Sequence, residues 1–310
     1  MGNGVFQASI RLAAAVLALG SLLVLANACS TLSVVEDSLF SQERVISLEH
    51  DGTMRSAVLV FPDGYTDMRR MPVVIDLHGF QENAASEMAM SGMAEAAMEL
   101  GFLAVFPEGM GGGWNVGPCC GGASQDNVND LGFLAELIDL LIVEYGADPQ
   151  RVYVTGFGNG GALALTAGCR LSHKVAGVGA VGASMELTNC RPVKPMPVIL
   201  FHGDGDAVVP YTGGQSDLLD MEIPSVADVV AYWVARNGGY EAPERIERDG
   251  VLRERYVGQD AGSEVMVYTI LGGGHSWPGG RASAVNPDEP STALSAAWTM
   301  LEFFSRQPSQ

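Results

Sequence analysis

The chain alternates short, nearly continuous apolar runs with longer segments of helical period. Residues 72–77, 102–106, 152–154, 175–181 and 198–201 are apolar runs rich in β-branched and aromatic side chains, the pattern of strands buried on both faces of a parallel sheet. Residues 264–271 predict one more strand. Leu131, Leu134, Ile138, Leu141, Ile142 and Tyr145 recur at helical spacing and stop at Gly146, a suitable C-terminal glycine. Residues 85–100 predict another helix, with Met90, Met93 and Met98 as core filler. Ser225 to Asp228 reads as a capping box that opens a helix closing at Gly238-Gly239, and Ser291 is placed to cap a last amphipathic helix running to about Phe304. Asp51-Gly52 and Asp249-Gly250 each separate two strand-like runs and predict hairpins. Strands and helices in this alternation predict an α/β fold, a single domain with a mostly parallel central sheet flanked by helices.

One stretch stands apart from this regular pattern. Residues 151–161, RVYVTGFGNGG, read as a buried strand, a sharp turn and the start of a helix. That is the setting of the nucleophile elbow, G-x-S-x-G, and the five residues here are Gly156-Phe157-Gly158-Asn159-Gly160. Gly158 stands where the serine belongs. The tip of such a turn needs positive φ, which costs a non-glycine residue roughly 1–3 kcal/mol and glycine little. Glycine therefore keeps the turn while removing the attacking oxygen. The alternative is an ordinary glycine-rich strand-to-helix turn with no catalytic past.

Composition narrows the partners. Apolar residues make up 47% and charged residues 17% of the 310, as in a globular protein, and no internal repeat is visible. The net charge is −19, and Lys174 and Lys194 are the only lysines, which argues against nucleic acid and disfavours anionic substrates. Residues 1–28 read as an export leader: Arg11, an apolar segment over 12–25 that is short for a membrane span, and the cleavage site Ala26-Asn27-Ala28. Cys29 follows at once and is a candidate for lipidation, which would give the exported chain a membrane anchor. Residues 29–42 are a polar linker, and 43–310 form the domain. In an oxidising compartment Cys119, Cys120, Cys169 and Cys190 suggest one or two disulfides in any of three connectivities. Adjacent Cys119 and Cys120 are expected to bond each other only with difficulty. No spacing supports a metal site, and no cofactor is implied.

An elbow requires an acid and a base later in the chain, each on a loop after a strand. His275 follows the strand at 264–271 in a Gly-rich loop, as suits a general base. Asp206, after the strand at 198–201, is the carboxylate to orient it, with Asp204 as competitor. The loop at His78-Gly79-Phe80 and the amide of Asn159 would supply the oxyanion donors, with His78 itself structural. VVIDLHGF, WNVGPCCGG, VNDLGFLAELID, RVYVTGFGNGG, HGDGDAVVPY, ADVVAYWVARNG and GGGHSWPGG, in this order, resemble the exported polyhydroxybutyrate depolymerase-like esterases, relatives of feruloyl and acetylxylan esterases within the α/β-hydrolases. The resemblance covers about residues 45–304. It implies an α/β-hydrolase fold, Asp206 as acid, His275 as base, Trp114 and Trp277 lining the site, and a small-molecule or polymeric ester as substrate. It departs at Gly158, and no second intact G-x-S-x-G is present.

Four functions follow. The chain is an exported ester hydrolase with impaired catalysis, or a binding protein for acyl or aryl esters or polymer ends built on a dead esterase. Alternatively Gly158 is a change introduced into a working enzyme, or a water held at the missing oxygen is activated by His275. Substrate identity and oligomeric state are not encoded in any pattern along the chain.

Overall fold

The structure is a computed structural model that describes residues 42–66, 70–117, 119–216, 221–239, 242–258, 262–286 and 288–308. The leader, Cys29 and nearly all of the linker lie outside the described residues.

The first hairpin, β1 (Glu43–His50) and β2 (Thr53–Val60), turns at Asp51-Gly52, where both residues have positive φ. The parallel strands follow: β3 (Met71–Leu77), β4 (Leu103–Pro107), β5 (Ala147–Gly156), β6 (Gly177–Val181), β7 (Val198–Gly203) and β12 (Val265–Ile270). The second hairpin, β10 (Glu244–Arg248) and β11 (Val251–Tyr256), turns at Asp249-Gly250. Together they form a sheet in the order β1-β2-β4-β3-β5-β6-β7-β12-β11-β10. The centre from β4 to β12 is parallel and both edges are antiparallel. Because these strands are parallel their C-terminal ends share one rim, and ligands of open α/β sheets bind on that rim where the strand order reverses, here beside β3.

Two apolar layers sandwich the sheet because successive side chains of a strand point to opposite faces. Val73, Ile75 and Leu77 enter one layer and Val74 the other; Val152 and Val154 are split from Tyr153 in the same way. The first layer is closed by α4 (Asp130–Tyr145), α5 (Gly158–Arg170) and α6 (Val226–Arg236). The second is closed by α1 (Ala84–Ser91), α2 (Met93–Leu100) and α7 (Ala296–Ser305). A short helix, α3 (Gly121–Gln125), lies in the Gly-rich loop. No helix of the described residues is long and apolar enough to cross a membrane.

Local details correct the sequence reading. The single helix expected over 85–100 breaks at Gly92, whose φ of +69° ends α1 and opens α2. Met90 and Met93 are core residues, as expected. The last helix is capped by Ser295 rather than Ser291. A small antiparallel pair, β8 (Gly214–Ser216) and β9 (Met221–Ile223), has no counterpart among the expected elements. Such three-residue strands carry too little period to be read from sequence. Cys169 pairs with Cys190, and Cys119 with Cys120, across a cis peptide that brings their Cα atoms to 3.1 Å.

Candidate active site

The elbow is built as its glycines demand. β5 ends at Gly156, Phe157 is extended, and Gly158 opens α5 with φ of +50°. The flanking glycines allow the helix to press on the end of β3. A Cβ on Gly156 would lie 2.6 Å from the carbonyl carbon of Gly160, and one on Gly160 would overlap the carbonyl oxygens of Leu77 and His78. Gly158 is different: a Cβ there would meet only the ring of His275, 3.2 Å from Nε2 and 3.6 Å from Cε1.

His275 and Asp206 come together from loops after β12 and β7. Asp206 Oδ2 lies 2.7 Å from His275 Nδ1, and Oδ1 accepts from the amides of Val208 and Val209, both at 2.8 Å. The second neighbour of Oδ2 is His202 Nε2 at 3.3 Å, a group the sequence reading left without a role. Since His202 Nε2 is also 2.8 Å from the carbonyl oxygen of Val209, it must carry a proton and donate. Burial pushes the Asp206 carboxyl up. Hydrogen bonds from His202 and His275, and the charges of those imidazoles, more than offset this and hold it well below the usual carboxylate range. Asp204 instead accepts from the amide of Gly272 at 2.5 Å, an exposed tie between loops. His275 is further fixed by Phe157, ring centroids 4.6 Å apart, and by its own amide donating to Asp288 Oδ2 at 2.8 Å.

The donors expected around an oxyanion lie beside the elbow. Asn159 is the second residue of α5, so its N–H has no acceptor within the helix. The N–H of Phe80 has no hydrogen-bond partner among the described residues. The Asn159 side chain clamps the Gly-rich loop to the elbow, with Oδ1 accepting from Trp114 N at 2.7 Å and Nδ2 donating to Trp114 O at 3.0 Å. His78 is structural, as expected. It bridges the Gly79 carbonyl oxygen at 2.8 Å and the Gly109 amide at 2.9 Å, and burial lowers its pKa. Trp114 and Trp277, expected to line the site, are fully buried behind it. Trp114 donates through Nε1 to His78 O at 2.9 Å, and Trp277 packs edge-on to Phe157. Large indoles at these positions brace the site's loops from within the core.

Near the loop at Gly79 lie three buried carboxyls for which the sequence predicts no role. Glu82 Oε2 accepts from the Gly79 amide at 3.1 Å, and Asp76 Oδ1 accepts from Thr155 Oγ1 at 2.7 Å. Glu87 on α1 is fully buried. Burial pushes Asp76 up to about 7, against the hydrogen bond from Thr155. Glu87 is pushed well above the usual range by burial first, then by the charges of Asp76 and Glu82. Folded-state pKa values above the unfolded ones mean that the folded protein holds protons the unfolded chain has released. Stability from Asp76 is therefore full below about pH 4 and is lost as pH rises through about pH 7, and that from Glu87 is lost in the same sense as pH rises through its own raised value. Glu87→Gln is expected to raise the melting temperature at neutral and alkaline pH and to flatten its decline. Thermal unfolding of both proteins across this pH range checks it, and an unchanged slope would contradict it.

Above the elbow opens a cavity of about 840 Å³. Its floor is Phe157, Gly158, Asn159 and His275. It is also lined by Phe80, Val116, the Cys119–Cys120 pair, Met185, Leu187, Val209, Ile223 and Pro224. Apart from His275, its ionisable side chains are Glu186 and Glu222; no lysine or arginine of the described residues lines it.

The Phospholipase/Carboxylesterase family matches residues 124–217, which include the elbow and Asp206. Feruloyl esterase B of Piromyces equi is 30% identical over 234 residues, 72% of this chain and 42% of that protein. The putative esterase NocK of Nocardia uniformis subsp. tsuyamanensis is 30% identical over 228 residues, 67% of this chain and 66% of that protein. The chain thus spans less than half the length of the first relative and about two thirds of the second. Among solved structures, an acetyl xylan esterase from Aspergillus awamori aligns with a TM-score of 0.57 at 15% identity, over 84% of this chain and 99% of that one, a likeness of fold. The chain therefore has the α/β-hydrolase fold, and its sequence is similar to that of a feruloyl esterase and a putative esterase.

Proposed function

We propose that the protein is an ester hydrolase of the polyhydroxybutyrate depolymerase and feruloyl esterase type in which Gly158 occupies the nucleophile position, so that acyl-enzyme chemistry is impaired. One observation carries this reading. The Asp206–His275 pair is intact at 2.7 Å, and its free ring nitrogen faces the point from which a side chain at position 158 would grow, 3.2 Å away. In this reading His275 is the general base, Asp206 orients it and stabilises its charged form, and the amides of Phe80 and Asn159 receive the developing oxyanion. The native protein is expected to resist fluorophosphonate labelling and to turn over short p-nitrophenyl esters at most weakly; ordinary esterase turnover or stoichiometric labelling would overturn the reading. Gly158→Ser tests the same reading from the other side, because it supplies the missing hydroxyl.

The second reading, a binding protein for acyl or aryl esters, is favoured by the open, largely apolar cavity, which needs no nucleophile to hold a ligand. Either way, Glu186 and Glu222 with no facing cation favour an uncharged ligand over one bearing a free carboxylate. Dimethyl adipate is expected to bind roughly tenfold better than monomethyl adipate at low salt, the gap narrowing at high salt and after Glu186→Gln with Glu222→Gln. Calorimetry on the native protein measures this, and equal affinities would contradict it.

The proposal extends to export through residues 1–28, a linker over 29–42 and lipidation at Cys29. Mass spectrometry of protein from its host is expected to find Cys29 at the N-terminus, free or lipid-bearing; an intact Met1 would contradict export.

A further inference from the structure

We propose that the native site performs single-step ester cleavage with a diffusible nucleophile, water or a small amine or alcohol, seated over Gly158 and activated by His275. This rests on the reading of the site as an esterase site and goes beyond it. Gly158 becomes a binding position for a small molecule instead of a defect.

The geometry favours this occupant. The direction in which a Cβ would leave Gly158 opens onto the cavity floor, and His275 Nε2 is the nearest atom across it, at 3.2 Å. A molecule of one or two heavy atoms placed there can donate a hydrogen bond to Nε2, as a serine hydroxyl would. Nε2 is free to accept because Nδ1 is committed to Asp206 at 2.7 Å, and a carboxylate partner requires that Nδ1 carry the proton. The Phe80 and Asn159 amides need no residue at 158 to act, since they belong to the backbone. Four walls of the reaction are therefore present: base, orienting acid, oxyanion donors and a pocket for the acyl or alcohol group.

The step balances without another reagent. The water oxygen bonds to the ester carbonyl carbon while its proton passes to Nε2, and the carbonyl oxygen becomes the oxyanion. As the carbonyl reforms, the bond to the alcohol oxygen breaks and that oxygen takes the proton from Nε2. The products are the alcohol and the carboxylic acid, which releases its own proton to solvent. Hydroxylamine in place of water forms a C–N bond and gives the hydroxamic acid, again with the alcohol as leaving group. No acyl-enzyme is formed at any stage.

The test uses the native protein with methyl ferulate and p-nitrophenyl acetate as substrates and hydroxylamine as the added nucleophile. Hydrolysis is expected at about 10³-fold or more over the uncatalysed rate. Hydroxamate should appear in proportion to hydroxylamine until the position saturates, and quenched samples should show no acylated protein by mass spectrometry. His275→Ala is expected to lower the rate by about 10²–10⁴-fold. Gly158→Ala places a methyl group 3.2 Å from Nε2, where the nucleophile would sit, and is expected to lower the rate by roughly tenfold or more. Because the left-handed backbone strains an alanine, its fold is checked by circular dichroism, and the partitioning measured on the native chain needs no variant. Native activity indistinguishable from background, activity that survives His275→Ala, or a trapped acyl-protein would each overturn the proposal. A native protein that is inert beside an active Gly158→Ser variant would overturn this proposal alone; if Gly158→Ser is inert as well, the esterase reading of the site fails with it.

Discussion

Gly158→Ser is expected to turn the protein into a fluorophosphonate-reactive esterase, with kcat on short p-nitrophenyl esters raised at least about 10³-fold over the native chain. The magnitude follows from what is already in place. In a serine hydrolase of another family, losing the nucleophile costs about 10⁶ in kcat, so if the site has the roles proposed for His275, Asp206 and the Phe80 and Asn159 amides, supplying the hydroxyl recovers a large part of that factor. The backbone needs no rearrangement, because Gly158 already has the positive φ of an elbow tip. A new Cβ meets only the His275 ring at 3.2 Å, which must yield by a few tenths of an ångström to accept the hydroxyl. A serine with φ near +50° is strained by roughly 1–3 kcal/mol, so the melting temperature should fall as activity rises. A folded Gly158→Ser protein that hydrolyses nothing in a panel of alkyl, aryl and acetyl esters, and takes up no fluorophosphonate, would sink the esterase reading. The binding reading would then lead.

Asp206→Asn in the Gly158→Ser background is expected to remove on the order of 10³–10⁴-fold of the gained kcat while leaving KM within a few-fold. Asp206 is the shared acceptor of two imidazoles and two backbone amides. An asparagine can present its oxygen to the amides of Val208 and Val209 only by turning its NH₂ towards His275 Nδ1. That orientation forces the wrong tautomer on the base and withdraws the charge that stabilises its protonated form. The effect on folding has its own sign. The folded-state pKa of Asp206 is depressed, so its contribution to stability is full above about pH 4 and is lost as pH falls below that. Asp206→Asn should therefore cost stability at neutral pH and less in acid, whereas Glu87→Gln should stabilise at neutral pH. If the asparagine variant keeps full activity, the orienting role belongs elsewhere, with Asp288 at the amide of His275 the next group to test.

The amino-acid sequence by itself determined the features that local preference dictates. Runs of Val, Ile and Leu became the buried parallel strands, Asp-Gly pairs became the two hairpin turns, and the spacing from Leu131 to Tyr145 became α4, stopped by Gly146. The elbow was legible for the same reason: a strand-to-helix turn this tight demands its glycines at fixed positions. Sequence and structure part at boundaries that one residue decides, as at Gly92 and Ser295.

Only the tertiary structure decided what crosses the chain. Asp204 and Asp206 are two residues apart and chemically equal. Asp206 reaches His275, 69 residues away, because it points inward between the amides and His202, while Asp204 faces out to Gly272. Trp114 and Trp277 went into the core because the loops that carry them fold back beneath the site, and the pairing of Cys119 with Cys120 and of Cys169 with Cys190 was one choice among three. The carboxyls of Asp76, Glu82 and Glu87 gave no sign in the sequence, since a polar residue is drawn inside by its neighbours in space and not by any period along the chain. Local patterns fix dihedrals and faces; burial, proton affinity and the meeting of His275 with Asp206 arise only when segments far apart in the chain are packed together.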